Sequence, residues 1–389
     1  MTSLDRARLY QPELTAIRHD IHAHPELGLE EYRTADLVAA KLEEWGIEVH
    51  RNVGKTGVVG VLRNGNGQAS VGLRADMDAL PILEANTLAY ASQNTGRMHA
   101  CGHDGHTTML LGAAKYLAET RNFNGTVNFI FQPAEEGLGG ALEMLKDKLF
   151  DRFPCNAVYG MHNWPGLPVG QFRLSHGPRL AGGAFFDIHV TGTGAHGARP
   201  HESVDPVLVA AHLTTALQSI VSRNVAAMDT AVLSVTRIHT GEAYNVIPEK
   251  AVMSGTVRAF TREVMTMVEQ NMRRMTESVS AAFGAKAHLD FDLRFAPTVN
   301  DKAETEALAE AAIELAGAAG VDRQAAPEMG SEDFSFMMEQ IPGAHIFLGN
   351  GATAQLHNDR YDFNDEAIPH GVALYALVAE KKLPKTITD

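Results

Sequence analysis

Residues 98–107, "MHACGHDGHT", contain several side chains that can do chemistry. Cys101 and His103 are close together in the chain, and His106 follows them. Thiolate and imidazole groups bind divalent transition metals. A cysteine with a nearby histidine is also the pair that a thiol hydrolase uses. The segment therefore raises three hypotheses: a metal site, a thiol nucleophile, and a histidine-rich loop without chemistry.

Two adjacent carboxylates, Glu135 and Glu136 in "FQPAEEG", directly follow an apolar run that is typical of a strand. Adjacent residues at a strand end point in different directions, so one carboxylate can bind metal while its neighbour reaches the attacking water. His162 in "YGMHNW" and His357 in "QLHND" add two imidazoles. Together with the donors of residues 98–107, this set exceeds the needs of one ion. A centre of two ions roughly 3.5–4 Å apart would use all of them.

A second pair of carboxylates lies in "RADMD". Asp76 and Asp78 are two residues apart at the end of an apolar run, so the period of a strand places them on one face. Carboxylates commonly orient the imidazoles that bind a metal ion, and one of these two could fill that role.

Elements that would position these residues follow from hydrophobic periodicity and turn signals. Strand-like runs alternate with helical patterns, which predicts an α/β domain with a mostly parallel sheet and helices on both faces. In such a sheet, ligands bind beyond the carboxyl ends of the strands, where "RADMD", "FQPAEEG" and "YGMHNW" all lie. The predicted strands are 56–65, 70–80, 125–133, 156–163 and 343–349, and the predicted helices are 4–23, 31–45, 105–119, 139–149, 302–316 and 365–381.

The pattern changes between Pro178 and Pro297. The order βαββαβ in this segment predicts a ferredoxin-like unit inserted into the larger domain. The expected domains are 1–180 and 297–389 for the two parts of a catalytic domain and 181–296 for the insertion. The elements behind this prediction are strands at 182–197, 231–241, 250–260 and 285–295 and helices at 205–223 and 262–283.

Composition limits the classes of partner. The chain has 389 residues, 45% of them apolar, and a formal net charge of −14. The negative charge disfavours nucleic acid and anionic membrane, which attract basic surfaces, so a small-molecule or peptide substrate fits better. An apolar leader and a membrane-spanning run are both missing from the sequence, and two cysteines cannot form a disulfide framework. We therefore expect a cytoplasmic location.

Eight motifs extend over nearly the whole length of the chain. In chain order they are "HAHPELGLEEY", "LRADMDALP", "MHACGHDGHT", "FQPAEEG", "GMHNWPGLPVG", "GAHGARPHESVDP", "NVIPE" and "MGSEDFSF". Through these motifs the chain resembles the M20 metallopeptidase superfamily. It is most similar to the amidohydrolase branch, which includes hippurate hydrolases, N-acyl-amino-acid amidohydrolases, auxin-conjugate hydrolases and N-acetyl-diaminopimelate deacetylases. The resemblance implies a catalytic domain with two metal ions and an inserted lid domain that dimerises.

The resemblance also implies roles for individual residues. The general base of the family corresponds to Glu135. Many M20 peptidases have a histidine ligand where this chain has Asp76, so Asp76 either contacts a metal ion or supports the site. The residues that correspond to metal ligands are Cys101, His103, Glu136, His162 and His357.

On the lid, the resemblance implies that His196 stabilises the oxyanion from the partner subunit of a dimer. Asn245 and Arg258 would bind the substrate carboxylate, for which a guanidinium offers a bidentate grip. The implied reaction cleaves an N-acyl amino acid to a carboxylic acid and a free amino acid. Because a cysteine ligand makes the site softer, we expect two ions of Mn, Zn, Co or Ni rather than Mg or Ca.

Three alternatives remain at this stage. A metallo-dipeptidase or aminopeptidase of the same superfamily would use the same centre. A thiol hydrolase would pair Cys101 with His103 or His106, but it would leave the two glutamates unexplained. A non-catalytic amino-acid or peptide-binding protein on this scaffold would be expected to lack Glu135 or a ligand, and the sequence keeps them all.

Overall fold

The computed structural model describes residues 1–385, which divide into two compact units. The first comprises Met1–Arg179, Val299–Ala326 and the described residues from Asp333 onwards. The second comprises Leu180–Thr298 and Pro327–Glu332. In this described part of the chain, every helix is too short or too polar to span a bilayer.

The helices predicted from the sequence are present, and their ends agree to within a few residues. The first helix begins after Thr2, whose side chain accepts the Asp5 amide while the Asp5 side chain accepts the Thr2 amide. Later helices begin after Asp205, Thr261 and Asp301, whose side chains each accept a backbone amide of the first turn. The helices are α1 (Ser3–Ala23), α2 (Tyr32–Glu44), α3 (His103–Thr120), α4 (Gly140–Lys146), α5 (Leu149–Arg152), α6 (Pro206–Ser219), α7 (Arg262–Ala282), α8 (Lys302–Ala316), α9 (Ser335–Met338) and α10 (Ile368–Lys382).

The strands include every predicted run and several short segments that periodicity does not reveal. They are β1 (Glu48–Val53), β2 (Gly57–Asn64), β3 (Ser70–Asp76), β4 (Gly125–Gln132), β5 (Ala157–Trp164), β6 (Phe172–Arg173), β7 (Gly177–Leu180), β8 (Gly182–Thr191), β9 (Ala195–His196), β10 (Ala231–Thr240), β11 (Val246–Ile247), β12 (Lys250–Ala259), β13 (Lys286–Phe295), β14 (Thr298–Asn300), β15 (Val321–Asp322) and β16 (Gly343–Gly349).

The first unit is built on an eight-stranded sheet in the order β1-β2-β4-β3-β5-β16-β6-β15. The four central strands β4, β3, β5 and β16 are parallel, as predicted, and β1 and β2 run antiparallel at one edge. Strands β3 and β16 are buried along their whole length because helices flank the sheet. The carboxyl ends of β3, β4 and β5 therefore meet at one edge.

Sequence periodicity gave an incomplete picture of this sheet. Strand β1 was missed because it is mostly polar and exposed, and it lacks the alternation that marks a strand. Strands β2 and β3 are consecutive in the chain, but β4 lies between them and pairs with both.

The second unit has its own sheet, in the order β10-β12-β8-β13, and its own apolar core. All three pairings are antiparallel. Helices α6 and α7 pack against this sheet, so the unit has the βαββαβ connectivity of a ferredoxin-like fold. One face of β8 is buried and the other is at least partly exposed, as expected when helices cover a sheet on one side.

Candidate metal centre

The polar motifs converge at the carboxyl ends of the central strands. Asp76 is the last residue of β3, and Glu135 follows the end of β4. His162 lies near the end of β5, and α3 begins at His103. The β3-β4 and β3-β5 pairings are parallel, so these residues, which are far apart in the chain, come together at one edge of the sheet.

Cys101 lies at the centre of the side chains that the sequence predicts as metal ligands. Its Sγ is 3.4 Å from His162 Nε2. Donor atoms of Cys101, His103 and His162 all lie within 4.8 Å of one another, and so do those of Cys101, Glu136 and His357. The two groups share the thiol, so the five residues predicted as metal ligands form one continuous cluster.

The hydrogen bonds of His103 and His162 leave one nitrogen of each ring available as a ligand. His162 Nδ1 donates to the Asn163 carbonyl at 2.7 Å, which leaves the Nε2 lone pair directed towards Cys101. His103 Nδ1 is 3.2 Å from Asp78 Oδ1. His103 Nε2 is buried and makes no hydrogen bond to any described residue. A buried ring nitrogen in this state fits a metal ligand, because burial without a partner is otherwise costly.

His357 completes the cluster from a loop after β16. Its Nε2 lies 3.2 Å from Glu136 Oε1, and its amide donates to the Ala100 carbonyl at 2.8 Å. The backbone of His357 is left-handed, with φ of 63°, a conformation that a residue other than glycine rarely adopts. Strained backbone of this kind persists only where the surroundings hold it, which is common at functional sites.

The loop that carries the paired glutamates is fixed by carboxylates from elsewhere in the chain. Ala134 has a left-handed φ of 53°, and its amide donates to Glu31 Oε1 at 2.8 Å. Two residues further along the chain, the Glu136 amide donates to Asp78 Oδ2 at 3.0 Å. These contacts hold the backbone on both sides of Glu135.

Glu135 itself is almost fully buried, with 6% of its surface exposed. The Asp333 amide donates to its Oε1 at 3.3 Å. The side chain of Asp333 in turn accepts from Gln132 Nε2 at 2.6 Å and from the Ala141 amide at 2.9 Å. A donor from outside the loop therefore orients the Glu135 carboxylate separately from that of Glu136.

Both carboxylate oxygens of Asp76 accept a hydrogen bond from a buried neighbour. Its Oδ1 accepts from His106 Nδ1 at 2.6 Å, and its Oδ2 accepts from Arg74 Nη1 at 2.8 Å. The other nitrogen of His106 accepts the Asn163 amide at 3.0 Å. Asp76 also lies 3.8 Å from His103 Nε2. This arrangement favours a supporting position for Asp76, and His106 has no nitrogen left for a metal or a thiol.

Electrostatics in the cluster favour a bound cation. Burial raises the pKa of the Cys101 thiol well above its ordinary value, and the charges of Glu136 and Glu135 raise it further. Burial opposes protonation of His103, but Asp76 and Asp78 raise the pKa of this imidazole to about 10. Burial would raise the pKa of Glu136, yet His357 and His103 lower it overall. A bound cation would offset the negative charge of these carboxylates.

The same electrostatics disfavour a thiol hydrolase. A cysteine nucleophile needs a lowered pKa from a nearby positive charge, whereas the pKa of Cys101 is raised. The imidazole nearest to the thiol belongs to His162 rather than to His103 or His106, and burial lowers the pKa of His162 well below its ordinary value.

The remaining predicted residues lie in the second unit. His196 is in β9 and pairs with Val246 of β11, and the Gly197 amide donates to the Asn245 carbonyl at 2.7 Å. The backbone thus brings His196 and Asn245 together. Arg258 lies in β12, with its guanidinium 5.8 Å from the ring centre of Phe185.

Several supporting residues were not predicted from the sequence. They include Glu31, His106, Asn163 and Asp333, whose contacts are described above. Each occurs within a motif that carried the family resemblance, so a signal was present, but the sequence does not show which distant group each one bonds. The sequence indicates His106 only as a possible partner of a nucleophilic thiol.

Known proteins resemble this chain over nearly its whole length. A sequence model described as Peptidase family M20/M25/M40 matches residues 72–381. The hippurate hydrolase of Campylobacter jejuni is 44% identical over 96% of this chain and 97% of that protein. An N-acetylcysteine deacetylase of Bacillus subtilis is 38% identical over 96% of this chain and 97% of its own length.

A solved structure from Bacillus subtilis, described as a dinuclear metal binding peptidase from the M20 family, has the same fold. It superposes with a TM-score of 0.85 at 34% identity, and the alignment covers 97% of this chain and 99% of that one.

Proposed function

Because the chain belongs to peptidase family M20/M25/M40, we propose that it is a metal-dependent amidohydrolase. Its substrate is an N-acyl amino acid, and its products are a carboxylic acid and a free amino acid. The observation that carries this proposal is the cluster of donor atoms around Cys101, with the buried carboxylate of Glu135 beside it. The names of the two relatives, which refer to hippurate and N-acetylcysteine, support the substrate class.

The cofactor that we propose is a pair of divalent transition-metal ions. The bound ions would acidify the attacking water and polarise the scissile carbonyl. The thiol and the imidazoles favour Mn, Zn, Co or Ni over Mg or Ca, since soft and nitrogen donors suit these ions. The proposed ligands are Cys101, His103, Glu136, His162 and His357.

Glu135 is the proposed general base and acid. Its carboxylate accepts a proton from the attacking water and delivers it to the nitrogen of the leaving amine. The Asp333 amide, which donates to Oε1, orients the carboxylate for both transfers. Asp78 and Asp76 act as positioning residues. Asp78 holds the His103 ring and the Glu136 backbone, and Asp76 holds the His106 ring.

Substrate recognition is assigned to the second unit. The Ala198 amide donates to His196 Nδ1 at 3.1 Å, so the ring hydrogen of the neutral imidazole is on Nε2. The exposed Nε2–H group is therefore a donor for the carbonyl oxygen as negative charge develops on it. Asn245 and Arg258 bind the carboxylate of the amino acid, the guanidinium in a bidentate manner.

The proposed assembly is a homodimer formed through the second unit. Strand β10 is at one edge of its sheet, and an uncovered edge offers backbone groups for pairing with an identical strand. Exposed apolar side chains lie on or near this strand, among them Val232 and Ile238. Both cysteines are free thiols, which supports a reducing compartment, and we propose the cytoplasm.

Hydrolysis of a panel of N-acetyl and N-benzoyl amino acids, including hippurate, tests this function. The protein is stripped with a strong chelator, checked by elemental analysis and reconstituted separately with Mn, Zn, Co and Ni. We expect activity to disappear on stripping and to return with at least one of these ions. Full activity in verified metal-free protein would refute the metal dependence. Cleavage of dipeptides without cleavage of any N-acyl amino acid would identify a peptidase instead.

A further inference from the structure

A second cluster of metal-binding side chains lies on the sheet of the second unit. His189 of β8 and His288 of β13 are directly opposite each other in the antiparallel register. Their rings stack with centres 4.8 Å apart and planes inclined by 13°. Asp290 lies two residues beyond His288 in the same strand and therefore on the same face. The side chains are 39%, 66% and 67% exposed, respectively.

The separations between Asp290 and the two imidazoles are longer than ordinary hydrogen bonds. Asp290 Oδ2 is 3.3 Å from His189 Nε2 and 3.6 Å from His288 Nε2. Both separations exceed the 2.7–3.2 Å range of an ordinary N–H···O bond. Ligand atoms about 2.0–2.1 Å from a tetrahedral zinc ion are separated from one another by about 3.3 Å. Donor atoms of all three residues lie within 4.8 Å of one another.

Charge at this position also favours a cation. Asp290 is directly opposite Asp187 in the register of β8 and β13, and like charges opposite each other destabilise a sheet. Arg237 lies 3.8 Å from Asp187. Among residues 1–385, the groups of opposite charge near Asp290 are the two imidazoles, which carry charge only when protonated.

We propose that His189, His288 and Asp290 bind one divalent transition-metal ion such as Zn²⁺, Ni²⁺ or Cu²⁺. Two neutral imidazoles and one carboxylate form a donor set that these ions prefer. All three residues belong to the second unit, whereas the five proposed ligands of the catalytic ions belong to the first. The new site is therefore independent of the proposed catalytic centre.

The ion would link the edge strand β13 to its neighbour β8. Strand β13 is at the edge of the sheet opposite to β10, so it pairs on one side only. A bond from β13 to the metal and from the metal to β8 adds a side-chain connection between these strands. Binding of this kind stabilises the folded state by an amount that grows with the logarithm of the free metal concentration once this concentration exceeds the dissociation constant.

Zinc stoichiometry of the full chain tests the proposal. Wild type and the double variant His189→Asn/His288→Asn are saturated with Zn²⁺, freed of loosely held ions by gel filtration and analysed for metal content. His212→Asn is the matched control, because His212 is an exposed histidine of the same unit that packs against Phe283. We expect the double variant to bind one equivalent fewer than both other proteins and to retain full amide hydrolysis.

Thermal unfolding supplies a second measurement. Excess Zn²⁺ should raise the unfolding midpoint of wild type by more than that of the double variant, since only wild type has the additional ligand set. Equal zinc content in wild type and the double variant would refute the site. Loss of the same equivalent in His212→Asn would also refute it, because the binding would then be a general property of exposed histidines.

Discussion

The Oδ1 atom of Asp78 lies 3.2 Å from Nδ1 of the His103 ring. The other oxygen of Asp78 accepts the Glu136 amide at 3.0 Å. One carboxylate therefore orients a proposed imidazole ligand from the start of α3 and the backbone of a proposed carboxylate ligand after β4. Its two bonds define the relative position of two ligands that come from separate elements.

Replacement of Asp78 by Asn should therefore weaken metal binding. The amide keeps the size of the side chain, but it has only one oxygen for the two donors. We expect affinity for the catalytic ions to fall by about 10–100-fold, the usual cost of losing such a supporting group. Competition with a chromophoric chelator measures this affinity. Asp20→Asn, at an exposed ion pair with Arg33, is the control, and equal affinities of the two variants would contradict the role of Asp78.

Substitution of each of the two adjacent glutamates should have a different effect on the enzyme. Glu135→Gln cannot accept the proton of the attacking water, so turnover should fall by at least ~10²-fold while the metal content stays near that of wild type. Glu136→Gln should instead lower the metal content. Kinetics combined with elemental analysis distinguishes these outcomes. If Glu135→Gln lost metal and Glu136→Gln retained it, the assignment of the pair would be reversed.

Metal loading should release protons at neutral pH. The raised pKa of Cys101 keeps the thiol protonated in the metal-free protein, and His103, with a pKa of about 10, is also protonated. Both groups must lose a proton to bind metal. We expect about two protons per protein from these groups, and about one fewer in Cys101→Ser. Calorimetry in buffers of different ionisation enthalpy counts them, and an unchanged count in Cys101→Ser would exclude the thiol as a ligand.

The sequence predicted the architecture well where periodicity was strong. Helix α8 has the limits that its pattern indicated, Lys302–Ala316, and β16 has the limits of "GAHIFLG". Helix α8 buries one face and β16 is buried along its whole length, so the pattern of apolar residues reflects the environment of each element. The edge strand β1 was missed because its side chains are mostly polar and its stability depends on pairing with β2 rather than on burial.

Within the site, the sequence indicated the candidate metal ligands and the general base better than the residues that form hydrogen bonds to them. Chemistry and the family motifs pointed to Cys101, Glu135 and Glu136, because a thiol beside histidines and two adjacent carboxylates after a strand are donors that divalent metal ions bind. The bond from the Ala134 amide to Glu31 joins residues from distant parts of the chain, and no local pattern encodes it. Such contacts depend on the tertiary fold, so the second layer of the site became visible only in the structure.

Stability of the metal-free protein should fall at alkaline pH because of His22 in α1. Burial opposes protonation of His22, but hydrogen bonds to Asp104 and Glu84 raise its pKa to about 9 from an ordinary value of 6.5. A raised pKa means that the stabilisation is complete below pH 6.5 and is lost as the pH rises through about 9. The shift corresponds to about 3 kcal/mol.

Thermal unfolding of the metal-free protein between pH 6.5 and 9.5 measures this contribution. We expect the unfolding midpoint of wild type to fall over this range by more than that of His22→Gln. His19→Gln is the control, because His19 is on the same helix and partly exposed beside Asp365. A fall of equal size in wild type and His22→Gln would show that another group causes the pH dependence.

Activity should also depend on residues from two subunits. The proposed dimer would place His196 of one subunit at the Glu135 site of the other. His196 is exposed at the end of β9, and only its Nδ1 accepts a hydrogen bond from the Ala198 amide. His196→Ala and Glu135→Gln should each be nearly inactive as homodimers. In a mixed dimer, one of the two sites would combine an intact Glu135 with an intact His196 from the other chain, so we expect activity to return in part.

Mixed dimers are prepared by co-expression with two different affinity tags, and native mass spectrometry confirms their composition. The homodimers of each variant, carried through the same two-tag purification, set the background rate. A mixed dimer with activity well above both backgrounds supports action of His196 across the interface, because neither parent contains a complete site. A confirmed mixed dimer as inactive as its parents would show that His196 acts within its own subunit or has no part in the reaction. A monomeric wild type in solution would contradict the proposed assembly itself.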